Sequence, residues 1–204
     1  MGLFDRARRE PLVEKELESR TPPGQTLTDK WPVLTYGETP QITTAAWRLT
    51  LSGLVEEPRE LTWADLMALP ATRQTCDMHC VTRWSRLGND FEGVRVKDLM
   101  TGVRLRPEAA FVMAHSYGGY TTNLPLPDLM QDDVMLACRY DGAALEPEHG
   151  GPCRLLVPKL YLWKSAKWIN GLEFMAKDRA GFWERAGYHM YGDPWTEQRH
   201  GWGW

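Results

Sequence analysis

The sequence contains no run of about 20 apolar residues, the length a helix needs to cross a bilayer, and no excess of basic residues. Its 24 Lys and Arg stand against 27 Asp and Glu, for a net charge of −3. The first absence removes a helical membrane span. The second removes the basic surface that nucleic acid or an anionic membrane would require. Neither G-x-G-x-x-G nor G-x-x-x-x-G-K-[ST] occurs, so a Rossmann or P-loop nucleotide site has no motif behind it. No Cys-x-x-Cys-His is present either, which leaves no signature for a covalently attached haem. Arg8-Arg9 is followed by Glu10, Glu14, Lys15, Glu16 and Glu18 rather than by the apolar stretch an export signal needs. Position 6 is Arg6, not the Ser or Thr of a myristoylation motif. The expected location is therefore cytoplasmic. Cysteines number only four, and in a reducing compartment free thiols or a metal site are expected before a disulfide framework.

What is present suits one domain. A chain of 204 residues that is 43% hydrophobic can bury a sizeable core. Ten Trp are available both for that core and for the walls of a ligand cleft. Residues 1–30 are charged, broken by Thr21-Pro22-Pro23-Gly24, and read as an N-terminal arm with one short helix; residues 31–204 read as the domain proper. Alternation from Ala46 to Val55 predicts a half-buried strand. Thr62 with Asp65 three residues on predicts a capped helix over Trp63 to Leu69, stopped by Pro70. Strands are expected at Arg73 to Val81, Ala109 to His115, Tyr120 to Leu124, Arg154 to Val157 and Trp168 to Met175. Asp141-Gly142 joins Val134–Tyr140 to Ala143–Leu145 as a two-residue hairpin turn. Short helices are expected at Val96 to Met100 and Gly181 to Ala186. Many short strands with few, brief helices point to an α+β fold dominated by mixed or antiparallel sheet.

Three clusters carry chemistry. In Cys76-Asp77-Met78-His79-Cys80-Val81-Thr82-Arg83-Trp84-Ser85, a thiolate beside His79 and Arg83 suits a soft or high-valent metal. The same residues also allow a zinc site of Cys76, His79 and Cys80, or two thiols merely buried in a strand. In His149-Gly150-Gly151-Pro152-Cys153-Arg154-Leu155-Leu156-Val157-Pro158, a tight turn feeds Arg154 into a strand and lets backbone approach an anionic or heterocyclic ligand. An ordinary surface turn with a solvated Arg154 is the alternative. In Tyr161-Leu162-Trp163-Lys164-Ser165-Ala166-Lys167-Trp168, two lysines and a hydroxyl offer what a phosphate dianion needs, unless they only edge a strand.

Taken in order, Cys-Val-Thr-Arg-Trp-Ser, His-Gly-Gly-Pro-x-Arg-Leu-x-Val-Pro and Tyr-x-Trp-Lys-Ser-x-Lys-Trp resemble the molybdopterin-binding domain of the sulfite oxidase family. The likeness runs from about Trp47 to Phe174 and is closest to the compact branch related to the catalytic subunit of bacterial protein-methionine-sulfoxide reductase. The resemblance implies a molybdenum–molybdopterin cofactor with a single pterin and no nucleotide. It implies Cys80 as the metal ligand, and His149, Arg154, Ser165, Ala166 and Lys167 as cofactor contacts, with His115 near a further pterin-contacting position. Arg83 and Tyr161 join Cys80 as candidates on the catalytic, substrate side. The implied reaction is oxygen-atom transfer on a small S- or N-oxide or a sulfite-like anion, with electrons exchanged with an external partner.

The sequence also departs from the family pattern. Reductase-like members carry Asn-x-x-Tyr-Glu upstream; here the region reads Lys30-Trp31-Pro32-Val33-Leu34-Thr35-Tyr36. Arg83 stands where those members have a small residue, and faces either an anionic substrate or an ion pair away from it. The aromatic tail from Tyr188 to Trp204 either caps the cleft, forms a dimer contact or packs on the surface. Two rival functions remain at this point: a non-catalytic pterin-binding module, which would not need a metal thiolate, and a structural zinc-binding interaction domain. Metal analysis separates them.

Overall fold

The computed structural model describes residues 14–201. The Arg8-Arg9 pair, Arg6 and the last three residues of the aromatic tail lie outside that range. In chain order the elements are α1 (Glu14–Ser19), β1 (Thr26–Leu27), β2 (Arg48–Gly53), β3 (Arg59–Thr62), α2 (Trp63–Met67), β4 (Ala71–His79), β5 (Trp84–Arg95), α3 (Val96–Leu99), β6 (Phe111–Ser116), β7 (Thr121–Pro125), α4 (Leu126–Leu129), β8 (Met135–Tyr140), β9 (Ala143–Ala144), β10 (Arg154–Leu156), β11 (Ile169–Met175) and α5 (Phe182–Arg185). No helix among the described residues is long and apolar enough to cross a membrane.

The strands form two mixed sheets. One runs β1-β5-β8-β10, with β4 also on β5 and β9 on β8; the other runs β3-β2-β11-β6-β7. Among the described residues, only β1–β5 and β2–β11 pair in parallel. This is the α+β, mixed-sheet fold that the run of short strands predicted.

Between the sheets lies the main core. Leu49 and Leu51 of β2, Val112 and Ala114 of β6, and Leu172 and Phe174 of β11 meet Leu136, Cys138 and Leu155 from the other sheet, with Cys153 just before β10. Alternation along β8 and β10 sends Met135, Ala137 and Leu156 to the opposite face of the first sheet. There, with Met78 and Phe91, they form a second apolar cluster, covered by Trp31, Trp84 and Leu162. The first sheet is thus buried on both faces, and its second face supports the site described below.

Local signals placed several elements well. Thr62 and Asp65 form a reciprocal capping box, although α2 stops at Met67 rather than Leu69, and Leu61 belongs to β3. Strand β8 turns through Asp141-Gly142 into β9. The twelve-residue β5, which holds the first sheet together, has no counterpart in the sequence reading. Gly88, Asn89, Asp90 and Gly93 give it the composition of a loop. The sheet explains two of them. A Cβ at Gly93 would fall 2.0 Å from the Leu136 carbonyl oxygen, beside a register shift between Glu92 and Gly93. The buried Asn89 carboxamide donates to the carbonyls of Cys76 (3.1 Å) and Arg86 (2.6 Å).

Candidate functional site

Cys80 sits in the tight connection between β4 and β5. Its N–H donates to the Trp84 carbonyl at 2.8 Å, and the Arg83 N–H returns to the Cys80 carbonyl at 3.1 Å. Arg83 closes the turn in the left-handed region, φ 71°, where a glycine is usual. The Cys80 side chain is 6% exposed, and its Sγ lies 3.1 Å from Thr82 Oγ1. Burial raises the thiol's pKa. Hydrogen bonding from Thr82, the Arg199 charge and the Val81 N–H oppose that shift. A thiol so placed keeps its proton until a stronger positive charge, such as a metal ion, takes over.

The second cluster folds as its glycines suggested, but Arg154 is not solvated. Gly150 adopts φ 108°, and a Cβ there would press to 3.0 Å on the Lys167 Cα. The turn therefore packs directly against the third cluster. Arg154 is 1% exposed; Nη1 donates to the His149 carbonyl and Nη2 to the Ser165 carbonyl, each at 2.8 Å. Its Nε is buried with no partner. Burial lowers the Arg154 pKa to about 10, and burial with the Arg154 charge lowers that of Lys167 to about 8. Ser165 Oγ accepts from the Val157 N–H at 2.9 Å, and the Ala166 carbonyl from the Leu155 N–H at 2.9 Å, so the segment is laced onto β10.

These groups line one cleft of about 410 Å³: Cys80 on one side, Arg154, Ser165, Ala166 and Lys167 on another. Its remaining walls are mostly aromatic, with Trp84, Tyr120, Trp163 and Trp168 below and Phe182, Trp183 and Tyr188 at the C-terminal end. Of the described tail, only Tyr188 reaches the lining, and Trp195 is 47% exposed.

A strap of residues 31–36 crosses this cleft. The Trp31 ring stacks on His149 at 3.9 Å and 14°, with the Arg154 guanidinium 5.6 Å from its centre. Lys167 Nζ donates to the Leu34 carbonyl (2.9 Å), Thr35 Oγ1 (2.8 Å) and the Glu148 carbonyl (2.7 Å). Tyr36 packs on Phe182 at 4.8 Å. Where the family stretch has Asn and Glu, this chain thus places an indole and backbone groups along the cleft.

Five of the nine residues singled out from sequence meet at the cleft, and four do not line it. His149 lies directly behind Trp31, its Nδ1 buried without a partner and its pKa lowered to about 4 by burial, Arg154, Lys167 and Arg86. His115 lies on the outer face of β6, where Nε2 pairs with Glu173 at 2.9 Å beside Arg179. Arg83 turns toward Gly24 and Glu197, away from the cleft. Tyr161 is fully buried, stacked on Trp163 at 5.3 Å, with its hydroxyl unpartnered.

The zinc grouping does not assemble. His79 Nδ1 shares a 2.8 Å hydrogen bond with Ser85, while Cys76 packs against the second apolar cluster, its thiol pushed up to about 12 by burial. Among the described residues no three His, Cys, Asp or Glu are placed to share an ion. Sequence reasoning missed Tyr120, Phe182 and Trp183 as cleft walls; Tyr188 fell within the reading in which the aromatic tail caps the cleft. The abundance of Trp does not say which ring goes where.

Comparison with known proteins gives the following. The profile described as "Oxidoreductase molybdopterin binding domain" matches residues 36–183. The uncharacterized oxidoreductase YuiH of Bacillus subtilis (strain 168) is 44% identical over 190 residues, 93% of this chain and 96% of that protein. The protein-methionine-sulfoxide reductase catalytic subunit MsrP of Campylobacter jejuni is 26% identical over 166 residues, 73% of this chain and 56% of that one. Among solved structures, the sulfane dehydrogenase SoxCD from Paracoccus pantotrophus superposes with a TM-score of 0.65 at 22% identity, covering 92% of this chain and 58% of its own. The chain therefore spans little more than half the length of these last two.

Proposed function

The chain belongs to the oxidoreductase molybdopterin-binding domain family, of the sulfite oxidase type, and on that premise we propose that it transfers oxygen atoms with Cys80 as the protein thiolate on molybdenum. It is a molybdopterin-dependent oxidoreductase. The cofactor form we propose is a single pterin ending in one phosphate, without nucleotide. The observation that carries the reading is the convergence, in one cleft, of a buried thiol with the Arg154–Lys167 pair.

The residues present fit such a group. Arg154 Nε, Trp84 Nε1 and His149 Nδ1 are buried polar atoms with no protein partner at or beside the cleft. Buried polar groups left unpaired are rare unless a ligand or water completes them. A pterin offers both donors and acceptors along its edge. His149 stays neutral down to about pH 4, so its ring can serve as either. Lys167 and the Ser165 hydroxyl would hold the phosphate, a point charge and a donor.

When bound, the cofactor supplies the two-electron redox chemistry that passes one oxygen atom to or from substrate. The chain positions substrate, excludes water and handles protons. Aromatic walls from Trp163 to Tyr188 keep the cleft dry and admit a small apolar substituent. Tyr188 lies close enough to Cys80 to feel its charge, and burial raises its pKa, so its phenol remains a donor at neutral pH. We assign it the hydrogen bond to the substrate oxygen. Lys167 and Arg154 are committed to the cofactor, and Arg83 turns away from the cleft. The substrate we favour is therefore a neutral S- or N-oxide, reduced with two electrons and two protons to the parent compound and water. The electrons come from an external donor.

The deciding experiment is metal and pterin analysis of the purified protein alongside Cys80→Ser. The expected result is one molybdenum and one pterin per chain, with Cys80→Ser folding, keeping most of its pterin and losing turnover of a sulfoxide by about a thousandfold or more, the scale expected when an essential group is removed. Full activity in Cys80→Ser would remove the ligand assignment.

A further inference from the structure

The Cys80 turn is held from outside by both ends of the chain. Within the turn, only the Arg83 N–H reaches the Cys80 carbonyl. The other bonds come from far away in sequence. Gln25 Nε2 donates to the Cys80 carbonyl at 3.1 Å, and the Thr26 N–H to the Arg83 carbonyl at 2.9 Å. From the C-terminal tail, Arg199 Nη1 donates to the Val81 carbonyl at 2.8 Å. The same guanidinium reaches toward the carbonyls of Pro23 (3.4 Å) and Gly24 (3.5 Å), so it ties the N-terminal segment, the cysteine turn and the tail together.

Stability alone does not account for this arrangement. Arg199 is 6% exposed, yet its Nε has no partner, and neither do the neighbouring Tyr161 hydroxyl and Gln25 Oε1. Its ionic partner Glu197 is 3.6 Å away and half exposed. A cation buried with incomplete pairing is commonly less stabilising than an apolar side chain of the same volume. The turn it grips is itself strained, since Arg83 holds φ 71°. Strain of this kind persists only where surrounding contacts over-determine the backbone, and it concentrates at functional sites. Arg199 also lies over the Tyr161 ring at 5.0 Å, and Tyr161 stacks on the cleft wall at Trp163. One residue therefore sets the cysteine turn relative to that wall.

We propose that Arg199, with Gln25, is a positioning residue that fixes the direction in which the Cys80 sulfur enters the cleft. This rests on Cys80 being the metal ligand. Neither residue touches cofactor or substrate; each acts through the carbonyls of Cys80 and Val81. Groups around a metal ligand orient it and tune the metal.

The test compares Arg199→Ala, Arg199→Lys and Gln25→Ala with Trp195→Ala, a tail substitution that touches none of these carbonyls, and with Cys80→Ser. In loaded protein the readouts are pterin content and the paramagnetic-resonance signature of the metal. In cofactor-free protein the readout is the rate of Cys80 alkylation, located by peptide mass spectrometry. Expected are near-normal pterin content, shifted resonance and alkylation about tenfold faster in Arg199→Ala and Gln25→Ala, the scale of one lost hydrogen bond. Lysine at 199 should recover part of both effects, and Trp195→Ala should change neither. If Arg199→Ala does not fold, Gln25→Ala and Arg199→Lys carry the comparison. Native resonance and native alkylation in the folded variants would overturn the proposal, leaving Arg199 as a tail anchor only. A native resonance in Cys80→Ser would instead reject the ligand assignment itself.

Discussion

At the scale of single residues, the site is built from groups whose charge has been made conditional. Lys167 is a half-buried ammonium beside a buried guanidinium, and both effects favour its neutral form, with a pKa lowered from 10.5 to about 8. A phosphate placed on it reverses that balance. In the empty protein the lysine is charged below about pH 8 and loses its charge above it. Cofactor retention should therefore be full at pH 6–7 and decline as pH rises through about 8 to 9, with proton uptake on loading in that window. Released-pterin fluorescence after equilibration across this range checks it. Lys167→Met should retain less pterin at every pH and show no decline; an unchanged decline in that variant would assign the titration elsewhere. His115 stands apart from the site: its Nε2 pairs with Glu173, and Arg179 lies on the same carboxylate.

At the scale of elements, the strap of residues 31–36 and the two cofactor-facing turns share their contacts. All three protons of Lys167 Nζ are engaged, two of them by the strap, and Trp31 covers His149. A phosphate can recruit Lys167 only by taking over one of those bonds. Amide hydrogen exchange across residues 31–36 should thus differ between cofactor-free and loaded protein, while β8 and β11 exchange alike in both. Equal exchange in the strap would mean that the phosphate sits away from Lys167. The strap also presents Val33, Leu34 and Tyr36 to solvent, at 45%, 50% and 72% exposure, so its outer half is held by Lys167 and the Phe182 and Trp183 rings, while Trp31 is packed on Phe91, Tyr140 and His149. Elements with few buried contacts open at low cost.

At the scale of the whole molecule, one buried ion pair joins regions that the chain separates widely. Lys164 and Glu184 are both fully buried, 2.6 Å apart, one in the cofactor-side turn and the other in α5. Lys164 also reaches Asn123 of β7 and the Met190 carbonyl of the tail, while Glu184 Oε1 accepts from Thr122 and from the Trp163 indole. Burial lowers the Lys164 pKa, and the charge and hydrogen bond of Glu184 oppose that shift. Lys164→Met leaves a buried carboxylate unpaired and should cost roughly 3–5 kcal/mol in denaturant unfolding of the cofactor-free protein. Replacing both partners with apolar residues should cost clearly less. Equal losses would mean that the pair contributes packing and not charge. Because Trp163 lines the cleft and Tyr188 follows α5, the same pair also sets the spacing of the aromatic walls.

The ordered motifs, the capping box of Thr62 and Asp65, the Asp141-Gly142 turn and the alternating strands were legible in the sequence because each depends on neighbours along the chain. Periodicity and turn chemistry are local, and so is the crowding of Cys80, Arg154 and Ser165 to Lys167 into short signatures. Strand β5 was not legible: Gly93 and Asn89 answer demands made by Leu136 and by the Cys76 carbonyl across the sheet, which local composition cannot express. Register and alternation decided the rest. They turn His115 outward to Glu173, send Arg83 toward Gly24 rather than into the cleft, and bury Arg154 where the sequence left it free to be solvated. They also bring Gln25 and Arg199 onto one four-residue turn. Which chemistry the chain carries follows from residue types in order. Which groups face one another follows from side-chain direction, and that is fixed only when the two sheets close on their common core.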